Sequence, residues 1–241
     1  MGSSNTSCIK PEEIVSNPTQ DDIVQLMVKN QTEDLMESRQ YLVEMHKESP
    51  PRILLSGEST VTTLVIDLDE TLIHSIFDFT NQCETQIKLP VTQQTADFQV
   101  DFDLNYITVY LCVRNYARQF IEDLSSLYEI VIWTASPYDY AKPIIDYLGI
   151  MDKLAAVLYR SECSIMDDQM YKDLDNLGRD KNVIIVDNNP QCYKKHPQNG
   201  INIVDFEGKQ DNALETLSKY LKEFATKGYK MDTLVHKWPL K

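Results

Sequence analysis

From residue 60 onward, three short apolar runs recur along the chain: 64-LVI-66, 130-IVIW-133 and 183-VIIV-186. Each is rich in β-branched residues and none alternates with polar positions. That pattern predicts strands buried on both faces of a parallel sheet. Between and after them the apolar spacing lengthens to three or four, the period of a helix. Phe120, Ile121, Leu124 and Leu127 mark one helical face, with Asn115 as its expected N-cap. Ser136-Pro137 reads as a second helix start, with a capping hydroxyl and proline at the first helical position. That helix should end at Gly149, with a kink or a shift in hydrogen bonding at Pro143. Asn212-x-x-Glu215 resembles a capping box, opening a helix that buries Leu214, Leu217, Leu221 and Phe224. Strands alternating with helices imply an α/β fold, a Rossmann-like parallel sheet flanked by helices with right-handed crossovers.

Residues 76–112 interrupt this alternation. QIKLPVTQQ, DFQVDFD and YITVYLCV read as strands with no helix among them, so a small antiparallel β insertion is expected after the first core strand. Residues 1–58 read as an extension, partly disordered and partly helical; Ile23, Leu26, Met27, Tyr41, Leu42 and Met45 carry helical spacing over 21–48. The SPP at 49–51 breaks that helix. The expected organisation is 1–58 extension, 59–228 α/β domain, and 229–241 tail.

Composition narrows the class. The 241 residues suffice for a substantial core, and 42% hydrophobic with 25% charged content is ordinary for a globular protein. The net charge of −14 argues against broad electrostatic binding of nucleic acid, though an anion can still enter a locally positive pocket. The five cysteines show no CxxC spacing, which points to reduced thiols in a nuclear or cytoplasmic compartment. Neither a membrane-spanning run nor a secretory leader is expected. MGSSNTSC matches the N-myristoylation pattern, with Cys8 as a palmitoylation candidate, against the alternative of a solvated tail.

Each buried run stops at an oxygen-bearing residue: Asp67, Thr134, and Asp187 with Asn188. In an open parallel sheet those ends share one edge, where ligands bind. Asp67 and Asp69 lie two apart at the end of the first run. Two close carboxylates in a poorly hydrated pocket cannot both ionise cheaply, and a divalent cation relieves that penalty. Oxygen-only ligands suit Mg²⁺, with a substrate phosphate completing the shell. One carboxylate could then attack phosphorus while the other handles the leaving group's proton and later activates water.

The segment DLDETLIHS resembles the DxDxT signature of haloacid-dehalogenase-superfamily phosphatases, and in particular the small phosphatases that act on the C-terminal domain of RNA polymerase II. The likeness extends through 131-VIWTASPYDYAKPIIDYL-148, 159-YRSEC-163, 171-YKDLDNLGRD-180 and 185-IVDNNP-190, in the family's order over roughly residues 60–225. By that resemblance the fold is of the haloacid-dehalogenase type. Asp67 corresponds to the nucleophile that becomes an aspartyl phosphate, and Asp69 to the general acid/base, whose backbone carbonyl also faces Mg²⁺. Thr134 and the adjacent Ala135 correspond to the phosphate-holding motif, and Lys172 to the lysine that neutralises phosphate and nucleophile. Asn188 corresponds to a metal-ligating asparagine, with Asp187 bound to the metal or to one of its ligands and Asp67 also at the metal, and Thr71 to a residue orienting the signature loop. Arg114 matches a family arginine, but Asn115 stands where proline usually follows. Arg160 is open between a phosphate ligand and a partner of a nearby acid. His74 and Trp133 read as packing residues.

The implied activity is Mg²⁺-dependent phosphoserine/phosphothreonine protein phosphatase, with the heptad-repeat tail of RNA polymerase II as implied substrate. The alternatives are another phosphoprotein or small phosphate ester, or a non-catalytic module like the mitochondrial translocase subunit of the same superfamily.

Overall fold

The structure is a computed structural model; it describes residues 55, 59–78, 98–102, 107–166, 169–179 and 182–227. The expected helix over 21–48, the acylation signal and the QIKLPVTQQ strand lie outside the described residues. All described residues fall in one compact unit, His46–Lys241.

A five-stranded parallel sheet forms the centre. Its strands are β1 (Thr63–Ile66), β5 (Glu129–Trp133), β6 (Ala156–Leu158), β9 (Val183–Asp187) and β10 (Gly200–Asn202), ordered β10-β9-β1-β5-β6. The three apolar runs of the sequence are therefore its middle strands. Because strand side chains alternate, each run feeds two cores. Leu64, Ile66, Ile130, Ile132, Ile184 and Val186 enter one cluster; Val65, Val131, Trp133, Val183 and Ile185 enter the other. The parallel sheet flanked by helices is thus as the patterning implied.

Three α-helices supply the first cluster: α1 (Ala117–Leu124), α2 (Tyr138–Leu148) and α3 (Ala213–Lys227). The opposite face is covered by short 3-10 turns and by a hairpin of β7 (Ser164–Met166) and β8 (Gln169–Tyr171), through Cys163, Leu174, Leu177 and Tyr193. Gly200 is needed on β10 because the Tyr193 ring lies on its backbone; a Cβ there would sit 2.0 Å from Tyr193 Cε2.

Three helix starts differ from their expected form. Helix α1 begins after Tyr116, which takes a left-handed conformation (φ 72°) with no side-chain cap, so Asn115 does not cap it; the helix also stops at Leu124, short of Leu127. Helix α2 begins at Tyr138 with Pro137 in the cap position, and Ser136 is turned away to another partner. Before α3, the Asp211 carboxylate accepts the Ala213 N–H at 3.1 Å. At α1 the backbone geometry of Tyr116 and at α2 the bond of Ser136 to Asp69 displace the expected cap, and at α3 the neighbouring Asp211 carboxylate takes that part. The end of α2 is as read: Gly149 closes it at φ 66°. The helix continues through Pro143.

The antiparallel insertion is a three-stranded sheet, β2 (Ile73–Asp78), β4 (Ile107–Val113) and β3 (Phe98–Phe102), ordered β2-β4-β3. It begins at Ile73 rather than residue 76, because the chain turns from β1 directly into the new sheet.

Candidate active site

The register of the sheet brings the site together. Ile66 on β1 aligns with Ile132 on β5 and Val186 on β9, so Asp67, Trp133 and Asp187 stand level at the C-terminal edge. The Asp67 N–H continues the ladder to the Val186 carbonyl at 3.0 Å. Asp67 and Asp187 share the parity of Val65 and Ile185, so both face the second core. Lys172, directly after β8, reaches the edge from that side. Its Nζ donates to Asp67 Oδ1 at 2.5 Å and to Asp187 Oδ2 at 2.7 Å. The lysine is 1% exposed, and its backbone N–H is held by the Cys192 carbonyl.

Past Asp67 the chain turns tightly. Leu72 and Ile73 donate their N–H groups back to the Leu68 carbonyl, and Glu70 takes a left-handed conformation at φ 56°. That strained position lets Asp69 and Thr71 point to different partners. The Asp69 carboxylate accepts three hydroxyls: Tyr140 on Oδ1 at 2.6 Å, and Ser136 at 2.8 Å and Thr134 at 3.2 Å on Oδ2. Thr134 Oγ1 in turn accepts the Ser136 N–H at 3.0 Å. Thr71 is buried; its hydroxyl faces Asn188 Oδ1 at 3.4 Å, and its carbonyl accepts Arg114 Nη1 at 3.0 Å. Asn188 Nδ2 donates to Asp205.

Arg114 supports this loop from beneath. It is fully buried, binds Asp211 with two nitrogens, donates to the Thr71 and Val204 carbonyls, and lies 5.3 Å over the Phe206 ring. Arg160 donates from Nε to the Ala135 carbonyl at 2.7 Å, so it braces the loop after β5. Trp133 is fully buried in the second core, and His74 is half-buried on β2 at 3.4 Å from Glu70.

The sequence-derived set therefore divides into two touching groups. Asp67, Lys172 and Asp187 form one; Asp69 and Thr134 form the other, with Ala135 next in the chain. Asn188 lies one residue beyond Asp187 and touches Thr71. Ser136, Tyr140 and Ser75 are contacts that sequence reasoning missed. Ser136 carries the sequence signature of a helix cap, and Tyr140 only that of a tyrosine in the first turn of a helix that starts at the sheet's ligand edge.

Electrostatics favours a cation here. Burial pushes the Asp67 carboxyl up to about 7; Lys172 opposes this, while Asp187 and Asp69 add to it. Lys172 remains charged, because the two carboxylates outweigh its burial. Burial, together with the charge of Asp69, pushes the Tyr140 hydroxyl well above the usual tyrosine range, so it stays a donor. Two carboxylates thus share one buried lysine, and a third, Asp69, adds its charge beside Asp67 among hydroxyl oxygens. That donor set fits a divalent cation. A second acidic group, Asp173, Asp175 and His196, places three donor atoms within 4.8 Å of one another. There the Lys195 ammonium already lies 2.7 Å from Asp173, so that carboxylate is paired from within the protein.

The chain matches the profile of the NLI interacting factor-like phosphatases over residues 62–232. It is 32% identical over 187 residues to the human carboxy-terminal domain RNA polymerase II polypeptide A small phosphatase 1, covering 74% of this chain and 67% of that protein. It is 34% identical over 177 residues to CTD small phosphatase-like protein 2 of Dictyostelium discoideum, covering 71% of this chain and 29% of that protein. Among solved structures, that of Fcp1, an essential RNA polymerase II CTD phosphatase, aligns with a TM-score of 0.47 at 23% identity, over 74% of this chain and 51% of that one. The chain thus spans between 29% and 67% of the length of these two curated relatives. The profile match alone takes in every strand and helix described above, and the chain belongs to the NLI interacting factor-like phosphatase family.

Proposed function

We propose that this chain is a Mg²⁺-dependent phosphoserine/phosphothreonine protein phosphatase that works through an aspartyl phosphate on Asp67. The observation that carries this reading is the buried contact of Lys172 with Asp67 at the sheet edge, with Asp69 two residues on. In the first step a carboxylate oxygen of Asp67 attacks phosphorus, and the bond from phosphorus to the substrate's serine oxygen breaks. Asp69 gives its proton to that oxygen, releasing a neutral hydroxyl. In the second step Asp69 takes a proton from water as the water oxygen attacks phosphorus. The bond to Asp67 breaks, inorganic phosphate leaves, and both side chains return to their starting forms.

Lys172 neutralises charge on the nucleophile and on the phosphoryl group, and the Thr134 hydroxyl, with the adjacent Ala135 N–H, holds phosphoryl oxygens. Asp67, the Asp69 carbonyl and Asn188 would hold Mg²⁺, with Asp187 beside them. When bound, the ion supplies positive charge to the transferring phosphoryl group.

The relatives' names point to the phosphorylated C-terminal repeats of RNA polymerase II as substrate, and hence to nuclear action. The net charge of −14 favours a second reading, a less heavily phosphorylated protein, because repulsion penalises a polyanionic tail. Among the described residues no helix is long and apolar enough to cross a membrane. The test is Asp67→Asn, assayed on an aryl phosphate and a phosphoserine peptide, beside the wild type in excess EDTA. Both should lose turnover by about 10³-fold or more, with the substituted protein still folded. Near-wild-type rates in either arm would rule the mechanism out.

A further inference from the structure

The Tyr140 hydroxyl carries one proton and lies 2.6 Å from both Asp69 Oδ1 and Ser75 Oγ. Asp69 Oδ1 accepts whether the carboxyl is ionised or carries its proton on Oδ2, so the tyrosine proton goes to Asp69, and the Ser75 hydroxyl donates to the tyrosine oxygen. The result is a directed chain from Ser75 on β2, through Tyr140 on α2, to Asp69. The Tyr140 ring is 8% exposed and packed in the first core, so packing rather than Asp69 sets where its hydroxyl sits.

The other carboxylate oxygen is held differently. Oδ2 takes two hydroxyls from the loop after β5, and one of them, Thr134, is also placed to serve a phosphoryl oxygen. When Thr134 turns to phosphate, Oδ2 loses a donor while Oδ1 keeps its own.

We propose that Tyr140 is a positioning residue that anchors Oδ1 of Asp69, leaving Oδ2 as the oxygen that exchanges the proton, and that Ser75 ties this anchor to the antiparallel sheet. The inference rests on the acid/base role given to Asp69 above. A neutral carboxyl carries its proton on Oδ2 and still accepts at Oδ1; an ionised one accepts at both. The anchor therefore survives both halves of the reaction. Without it the carboxyl turns about its terminal torsion, which has a broad, soft profile, and the proton is delivered from no fixed direction. The loss must then grow with the basicity of the leaving oxygen, since only a strongly basic oxygen needs the proton.

The experiment measures single-turnover release of the leaving group, with Mg²⁺, for wild type, Tyr140→Phe and Ser75→Ala. The substrates are aryl phosphates of rising leaving-group basicity, from p-nitrophenyl phosphate upward, and a phosphoserine peptide. Tyr140→Phe keeps the packed ring and removes only the anchor. Its deficit should rise from a few-fold on p-nitrophenyl phosphate to about 10²-fold on the phosphoserine peptide. Ser75→Ala should tilt the same way with a smaller slope. An equal loss across the series for Tyr140→Phe overturns the positioning role. If that variant does not fold, a wild-type slope in Ser75→Ala overturns it instead. A wild type that consumes no member of the series overturns the phosphatase reading, a separate result from any change of slope.

Discussion

The proposed nucleophile, Asp67, must be ionised to attack, yet it is buried and its carboxyl is pushed up to about 7. The folded protein therefore keeps that proton over a window where the unfolded chain, near the ordinary aspartate value of about 3.8, has released it. In metal-free protein this group makes stability fall as pH rises through that window. A divalent cation held by Asp67, as proposed, would compete with the proton for the same oxygens, so its binding would strengthen as pH rises. The rise in Tm on adding Mg²⁺ should be small at about pH 5 and clearly larger at about pH 8. Thermal melts with and without the ion check this, and a pH-independent shift would contradict binding at Asp67. Asp67, Asp69, Thr134, Lys172, Asp187 and Asn188 were all nameable from sequence, because each ends a recognisable run or sits in a motif. Ser136, Tyr140 and Ser75 were not. Their part at the site comes from where α2 and β2 dock, and nothing local to their sequence announces it.

At the scale of elements, the helical layer is pinned by one half-buried acid. Asp123 on α1 accepts Tyr116 at 2.5 Å, Gln119 at 2.9 Å, and, from α3, Ser218 at 3.2 Å and Lys222 at 2.6 Å. These donors, the Lys222 ammonium foremost and then Tyr116, hold its carboxyl well below the usual carboxylate range. Its contribution to stability is present above about pH 4 and lost as pH falls through the depressed value. Asp123→Asn should cost about 1–2 kcal/mol at neutral pH, with the deficit shrinking toward about pH 2. Urea melts across that range test it; a constant deficit would mean the charge is not what matters. The uninterrupted apolar runs of β1, β5 and β9 and the helical spacing of α3 are legible in the sequence. The strands β6, β7, β8 and β10 have three residues each, too few for any period to show. The misread caps share another cause: Ser136 has its capping chemistry drawn off by Asp69, and the turn at Arg114–Tyr116 is set by the buried arginine and a left-handed tyrosine.

For the whole molecule, charge and chemistry oppose one another. Under the proposed function, a chain of net charge −14 admits a phosphorylated, anionic segment. Repulsion at long range should slow encounter, and salt screens it within a Debye length of about 10 Å at 0.1 M. The kcat/KM for a multiply phosphorylated peptide should therefore rise with moderate ionic strength, and that for a singly phosphorylated one should change less. A fall with salt would show instead that a local positive surface governs capture.

All of this depends on a covalent bond forming at one side chain. The direct measurement is rapid acid quench during turnover, borohydride reduction of the trapped acyl phosphate, and peptide sequencing by mass spectrometry. The expected result is homoserine at position 67 and nowhere else. Turnover with residue 67 recovered wholly as unmodified aspartate, or with the label on another side chain, would contradict the account.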